Sequence, residues 1–148
     1  HRGGGGGLTD QGYAQVSLLA DHLFERGIKG PEVCILSSRS NRAEETSAVL
    51  ARRLEVPNFD LFECLCPGQS ISIISRNHSE FLQLVENEAR RHKFVIISAH
   101  PEHVGILPTI WGMSLKIQIP IVRGSPNGTA RIFCLTSRQV ESIRPGVT

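Results

Sequence analysis

An arginine and a histidine each follow an apolar run, and their surroundings suit phosphoryl chemistry. Ser37-Ser38-Arg39-Ser40-Asn41-Arg42-Ala43-Glu44-Glu45-Thr46 directly follows Val33-Cys34-Ile35-Leu36. The pattern predicts a strand that ends in two small hydroxyl residues, turns, and enters a helix with Arg42 in its first turn. Such a turn aims a guanidinium and several backbone N–H groups at one point, which suits a phosphate. The run Phe94-Val95-Ile96-Ile97-Ser98-Ala99 ends the same way and delivers His100. Ser38 and Arg39 lie in the first turn as further candidate phosphate contacts, although a turn arginine is more often a solvated charge. His103 is expected on a helix surface, otherwise lining the pocket. Two plainer readings stand beside these. Arg42 could pair with Glu44 or Glu45, and His100 could be a packed core residue. His100 and His103 lack the H-E-x-x-H spacing, so no metal site is expected there.

Alternating helices and strands must position these groups. Thr9 is a good N-cap, and Val16, Leu19, Ala20, Leu23 and Phe24 repeat at helical spacing until Arg26-Gly27. A second helix is expected from about Asn41 to Leu54, a short extended segment over Phe59–Phe62, and a turn at 66–70. A third helix follows over Ser79–His92. Phe94–Ala99 shows no polar alternation, as in a strand of a parallel sheet buried on both faces. A fourth helix is expected over Pro101–Gly112, with Pro108 kinking or ending it. Ile117, Ile119 and Ile121 alternate with Lys116, Gln118 and Pro120 and predict a strand near a sheet edge. Ser125–Gly128 reads as a turn, Ala130–Leu135 as a last strand, and the tail from Thr136 as peripheral. The alternation predicts an α/β fold with helices on both faces.

The chain has 148 residues, 40% hydrophobic and 20% charged, enough for one domain. Residues 1–7 read as a flexible glycine-rich segment and 8–148 as that domain. The net charge of +2 is too mild for a nucleic-acid partner, and no apolar run reaches membrane-spanning length. Cys34 and Cys134 lie in strand-like runs as expected buried thiols. Cys64 and Cys66 form C-x-C, not the C-x-x-C of zinc or redox sites. Sparse cysteines fit a reducing, cytoplasmic compartment.

Together these segments resemble the histidine phosphatase superfamily, which includes the phosphoglycerate mutases. Leu8-Thr9-Asp10-Gln11-Gly12-Tyr13-Ala14-Gln15 resembles its L-T-x-x-G-x-x-Q helix start, Ser37–Thr46 its S-S-x-x-x-R-A-x-x-T segment, and His100 its second catalytic histidine. The small size resembles the SixA-type phosphohistidine phosphatases most. The resemblance implies a three-layer α/β/α, mostly parallel, phosphoglycerate mutase-like fold. It implies phosphate transfer to a histidine and hydrolysis of that phosphohistidine, on a phosphohistidine protein or a small phosphate monoester. Arg42 and His100 would surround the phosphoryl group without metal or cofactor, and Glu63 is the best match for a general acid.

The family's nucleophilic histidine lies in an R-H-G motif at the end of a first strand, which is missing here. The chain begins His1-Arg2-Gly3. Three readings stay open: residues upstream have been removed, the domain is an inactive phosphate- or partner-binding relative, or His1 is the nucleophile with Arg2 beside it. The last is disfavoured, because a residue on a glycine tether is not held in place. Without the first strand the sheet would be rearranged, or completed by another segment such as a second copy in a homodimer. Pro101 also removes the backbone N–H directly after His100.

Overall fold

The computed structural model describes residues 7–123, 130–134, 137 and 139–143. The calls on His1, Arg2, Gly3–Gly6 and the 125–128 turn lie outside them. The elements run α1 (Asp10–Glu25), β1 (Val33–Ser38), α2 (Asn41–Arg53), β2 (Asp60–Phe62), α3 (Ile71–Arg76), α4 (His78–Ala89), β3 (Phe94–Ser98), α5 (Pro101–Ser114), β4 (Ala130–Cys134) and β5 (Gln139–Ile143).

Strands β2, β1 and β3 form a parallel sheet in that order. All six residues of β1 are buried, as befits a central strand covered on both faces. The period of two divides the side chains between two cores. Val33, Ile35, Phe94 and Ile96 pack with Val16, Leu19, Leu23, Val49, Leu50 and Leu54 of the α1–α2 layer. Cys34, Leu36, Val95 and Ile97 pack with Ile74, Phe81, Ile106, Leu107 and Ile110 of the α3–α5 layer. The result is the expected three-layer arrangement. The connection from β1 through α2 moves one way across the sheet to β2, and the connection from β2 through α4 moves back past β1 to β3. The right-handed rule for parallel crossovers therefore sends α2 and α4 to opposite faces.

Local signals explain the helix starts. The Thr9 hydroxyl accepts from the Gly12 amide at 3.0 Å, Ser40 from Ala43 at 3.4 Å, and Ser70 from Ile73 at 3.2 Å. Gly27 ends α1 with φ +82°.

Three expectations need correction. Helix α5 runs through Pro108 to Ser114. Pro108 has no amide for the Val104 carbonyl, but Arg131 of β4 donates Nη1 to that carbonyl and to that of Gly105, both at 3.2 Å, so the freed acceptor is filled. The 117–121 segment is not a strand. The Ile117 amide donates back to Gly112 at 2.8 Å, Lys116 takes φ +62°, and the chain reverses to run along α5. It lies so close that a Cβ on Gly105 would sit 1.9 Å from the Val122 carbonyl oxygen. The tail is not peripheral either. Strand β5 pairs antiparallel with β4, and Ile143 is buried in the α1–α2 core.

Of the four free cysteines, Cys34 is buried as expected, whereas Cys134, also expected to be buried, ends β4 exposed. Burial, with Glu88 beside it, pushes the Cys34 thiol up to about 12. Among the described residues no helix is long and apolar enough to cross a membrane.

Candidate phosphate site

Strands β1 and β3 are parallel neighbours, with Ser37 opposite Ser98. Each leads at its carboxyl end directly into a helix, α2 on one face of the sheet and α5 on the other. Ligands bind in crevices at such switch points, because two helix N-termini bring their free amides to one place.

Buried hydroxyls hold the floor of the crevice. Ser37 donates to the Ser38 carbonyl at 2.8 Å, and Ser98 donates to the Ala43 carbonyl at 3.2 Å, tying β3 to the first turn of α2. The Ser38 hydroxyl accepts from the Ser40 amide at 3.2 Å and bonds His100 Nε2 at 3.0 Å. Ser38 is fully buried, so it links the two strand ends rather than offering an open hydroxyl.

His100 is the N-cap residue of α5, and its side chain makes no capping bond. The Val104 amide closes the first helical bond onto the His100 carbonyl at 3.0 Å. The amides of Glu102 and His103 precede that bond and so lack an intrahelical partner. Burial holds His100 below its ordinary 6.5; Glu102 opposes this, and the Arg42 guanidinium reinforces it. Arg42 is thus an electrostatic neighbour of the imidazole, contributed by the first turn of α2.

His103 corrects the expectation of a surface residue. It is 1% exposed, with its ring 5.8 Å from Phe81 and 5.7 Å from His100. Burial, assisted by His100, lowers it to about 4, against the opposing pull of the Cys64 backbone and Glu102. It backs the His100 ring and faces no solvent. Arg39 and Glu63 meet each other at 3.0 Å on the exposed side, and Glu63 also accepts from the Cys66 thiol at 3.3 Å. His1 and Arg2 lie outside the described residues.

One neighbouring feature carried no sequence signal. Beside the first turn of α5 opens a cleft of about 340 Å³, lined by Ser70, Ile71, Pro101, Glu102, Val122 and Arg123. Arg123 reaches it only because the 117–122 segment folds back along α5.

No family model and no curated protein matches the sequence. Solved structures do. The chain is similar to SixA from Agrobacterium tumefaciens, assigned as a phosphohistidine phosphatase, with 18% identity, TM-score 0.50 and 78% of this chain against 71% of that one. It is also similar to a mycobacterial glucosyl-3-phosphoglycerate phosphatase, with 15% identity, TM-score 0.60 and 96% against 88%. Both belong to the histidine phosphatase superfamily. The parallel sheet between two helical layers, shared with both, is the phosphoglycerate mutase-like α/β fold of that superfamily.

Proposed function

We propose that the chain is a metal-independent phosphatase of the histidine phosphatase type, acting on a phosphohistidine protein or a small phosphate monoester. The observation that supports this reading is that Arg42 and His100 stand at the N-termini of two helices, α2 and α5, that leave the carboxyl ends of the neighbouring parallel strands β1 and β3. A phosphoryl group there would set its oxygens against the guanidinium, the imidazole and the Glu102 and His103 amides. The catalytic work is then positioning and charge stabilisation. In the superfamily's scheme an imidazole nitrogen attacks phosphorus in line. The bond to the leaving group breaks as the N–P bond forms, and water then cleaves the N–P bond to release phosphate. A second histidine is the attacking group in that scheme. Of the three readings of the sequence, His1 on its glycine tether is the disfavoured source of that group.

His100 enters neutral near pH 7 and gains a proton as the anion arrives, which places positive charge beside the transferring group. Glu63 would serve as general acid only after releasing Arg39. A phosphoramidate leaves more readily than an alkoxide and does not need that release, so this arrangement favours phosphohistidine as substrate. The cleft beside Pro101 and Arg123 would receive the remainder of the substrate.

A second reading, a phosphate- or partner-binding domain without turnover, is favoured by Pro101, which has no backbone N–H to offer a transferring group directly after His100. Phosphate release from phosphohistidine and from an aryl phosphate separates the two. The phosphatase reading expects turnover that falls about 100-fold or more in Arg42→Ala and His100→Ala. Binding of inorganic phosphate lost in Arg42→Ala, with no release from either substrate, would establish the binding domain instead.

A further inference from the structure

We infer that Cys34, Glu88 and His92 form a binding site for a divalent transition-metal ion of the zinc class, separate from the phosphate crevice. Cys34 lies four residues before Ser38 on β1, about 13 Å away along an extended strand. Glu88 sits in the last turn of α4. The His92 amide donates to the Glu88 carbonyl at 2.9 Å, which continues the helical turn and puts both side chains on one face.

The donor atoms have the spacing of a coordination shell. Cys34 Sγ lies 3.5 Å from Glu88 Oε1, and His92 Nδ1 lies 3.6 Å from the same oxygen. All three donors fall within 4.8 Å of one another. Tetrahedral zinc, with its bond to sulfur about 2.3 Å and those to nitrogen and oxygen about 2.0–2.1 Å, requires donor–donor edges of about 3.3–3.6 Å. Two edges already match, and a small turn of the His92 ring closes the third.

The Cys34 thiol donates to Glu88 Oε1, but one polar atom of the cluster still needs a partner. His92 Nδ1 is buried without a hydrogen bond, and 3.6 Å to the carboxylate is too long to supply one. Arg91, 68% exposed, donates Nη2 to Glu88 Oε2 at 2.8 Å and to Oε1 at 3.0 Å. It holds the carboxylate from the solvent side, as outer partners of metal ligands do, and keeps Oε2 when Oε1 turns to the ion. On binding, the Cys34 thiol gives its proton to solvent. One thiolate and one carboxylate then balance the two charges of the ion, which suits a half-buried site, and water fills the fourth position. The ion would pin α4 to β1.

Cobalt(II) titration of chelator-treated protein tests this. One equivalent should raise the near-ultraviolet thiolate-to-cobalt charge-transfer band, and zinc should erase it. Cys34→Ser should abolish the band. Glu88→Gln and His92→Gln should each weaken binding about tenfold or more, and these two half-buried positions carry the test if the Cys34 variant fails to fold. The triple variant Cys64→Ser, Cys66→Ser, Cys134→Ser should keep the band. No band in the parent protein, a band surviving in folded Cys34→Ser, unchanged affinity in both Gln variants, or a band lost in the triple variant would overturn the site.

Discussion

At the scale of single residues, His100 and His103 show how burial sets the charge of two imidazoles whose rings are 5.7 Å apart. Free His100 titrates below 6.5, and a bound anion favours its charged form, so the complex titrates higher. Sulfate keeps a constant charge near neutrality and isolates this effect. Its affinity, measured by calorimetry, should rise as the pH falls between the two values and level off below the lower one; His100→Gln should remove the dependence. His103 acts on stability instead. The unfolded chain binds its proton near 6.5 and the folded chain near 4, so between those values the unfolded state holds more protons. The contribution is complete above 6.5 and shrinks as the pH falls through the window, by about 3 kcal/mol in all. Denaturant unfolding of His103→Leu should show a flatter pH profile there. The arginine, serine and histidine of the crevice were legible because each ends or follows an unbroken apolar run. The depth of His103 was not, because it depends on Phe81, an aromatic side chain from a different helix.

Among the elements, α5 depends most on its neighbours. Pro108 leaves the Val104 carbonyl without an amide, and Arg131 fills it from β4. Arg131→Met should therefore cost about 2 kcal/mol, the scale of a charged hydrogen bond lost from a buried acceptor. In a Pro108→Ala background the restored amide takes that carbonyl, and the same change should cost about 1 kcal/mol or less. Equal costs in the two backgrounds, from a double-mutant cycle in denaturant, would contradict the assignment. The sequence could not reveal this pairing, since nothing local ties residue 131 to residue 104. The 117–121 segment misled for a related reason. Any extended chain lying on a surface alternates its side chains, whether its neighbour is a strand or a helix. The glycines that admit it, Gly105 and Gly112, are visible, but their purpose emerges only once Val122 and Ile119 lie against them.

For the whole molecule, the β4–β5 hairpin is the last described part of the chain and still contributes to the first core. Ile143 packs there with residues of α1 and α2, and Arg26 of the α1 C-cap pairs with Glu141 at 2.8 Å. Ile143→Ala should cost about 2–4 kcal/mol, a core-sized loss visible as a lower melting temperature, whereas a peripheral tail would lose almost nothing. The layer order was legible from the alternation of periodicities. The hairpin's place was not, because Gln139-Val140-Glu141-Ser142-Ile143 has too few apolar positions to declare which face it covers.

Strand β3 is the last member of the three-stranded sheet and has a hydrogen-bonded neighbour, β1, on one side only among the described residues. The four apolar side chains of Phe94–Ile97 remain half-buried there. Edge strands of this kind carry amides and carbonyls that no neighbouring strand of the sheet takes up. Among the described residues the wall behind His100 therefore takes its hydrogen-bonded register from β1 alone, and every residue from Phe94 to Ser98 is fixed by its pairing with Val33 to Ser37.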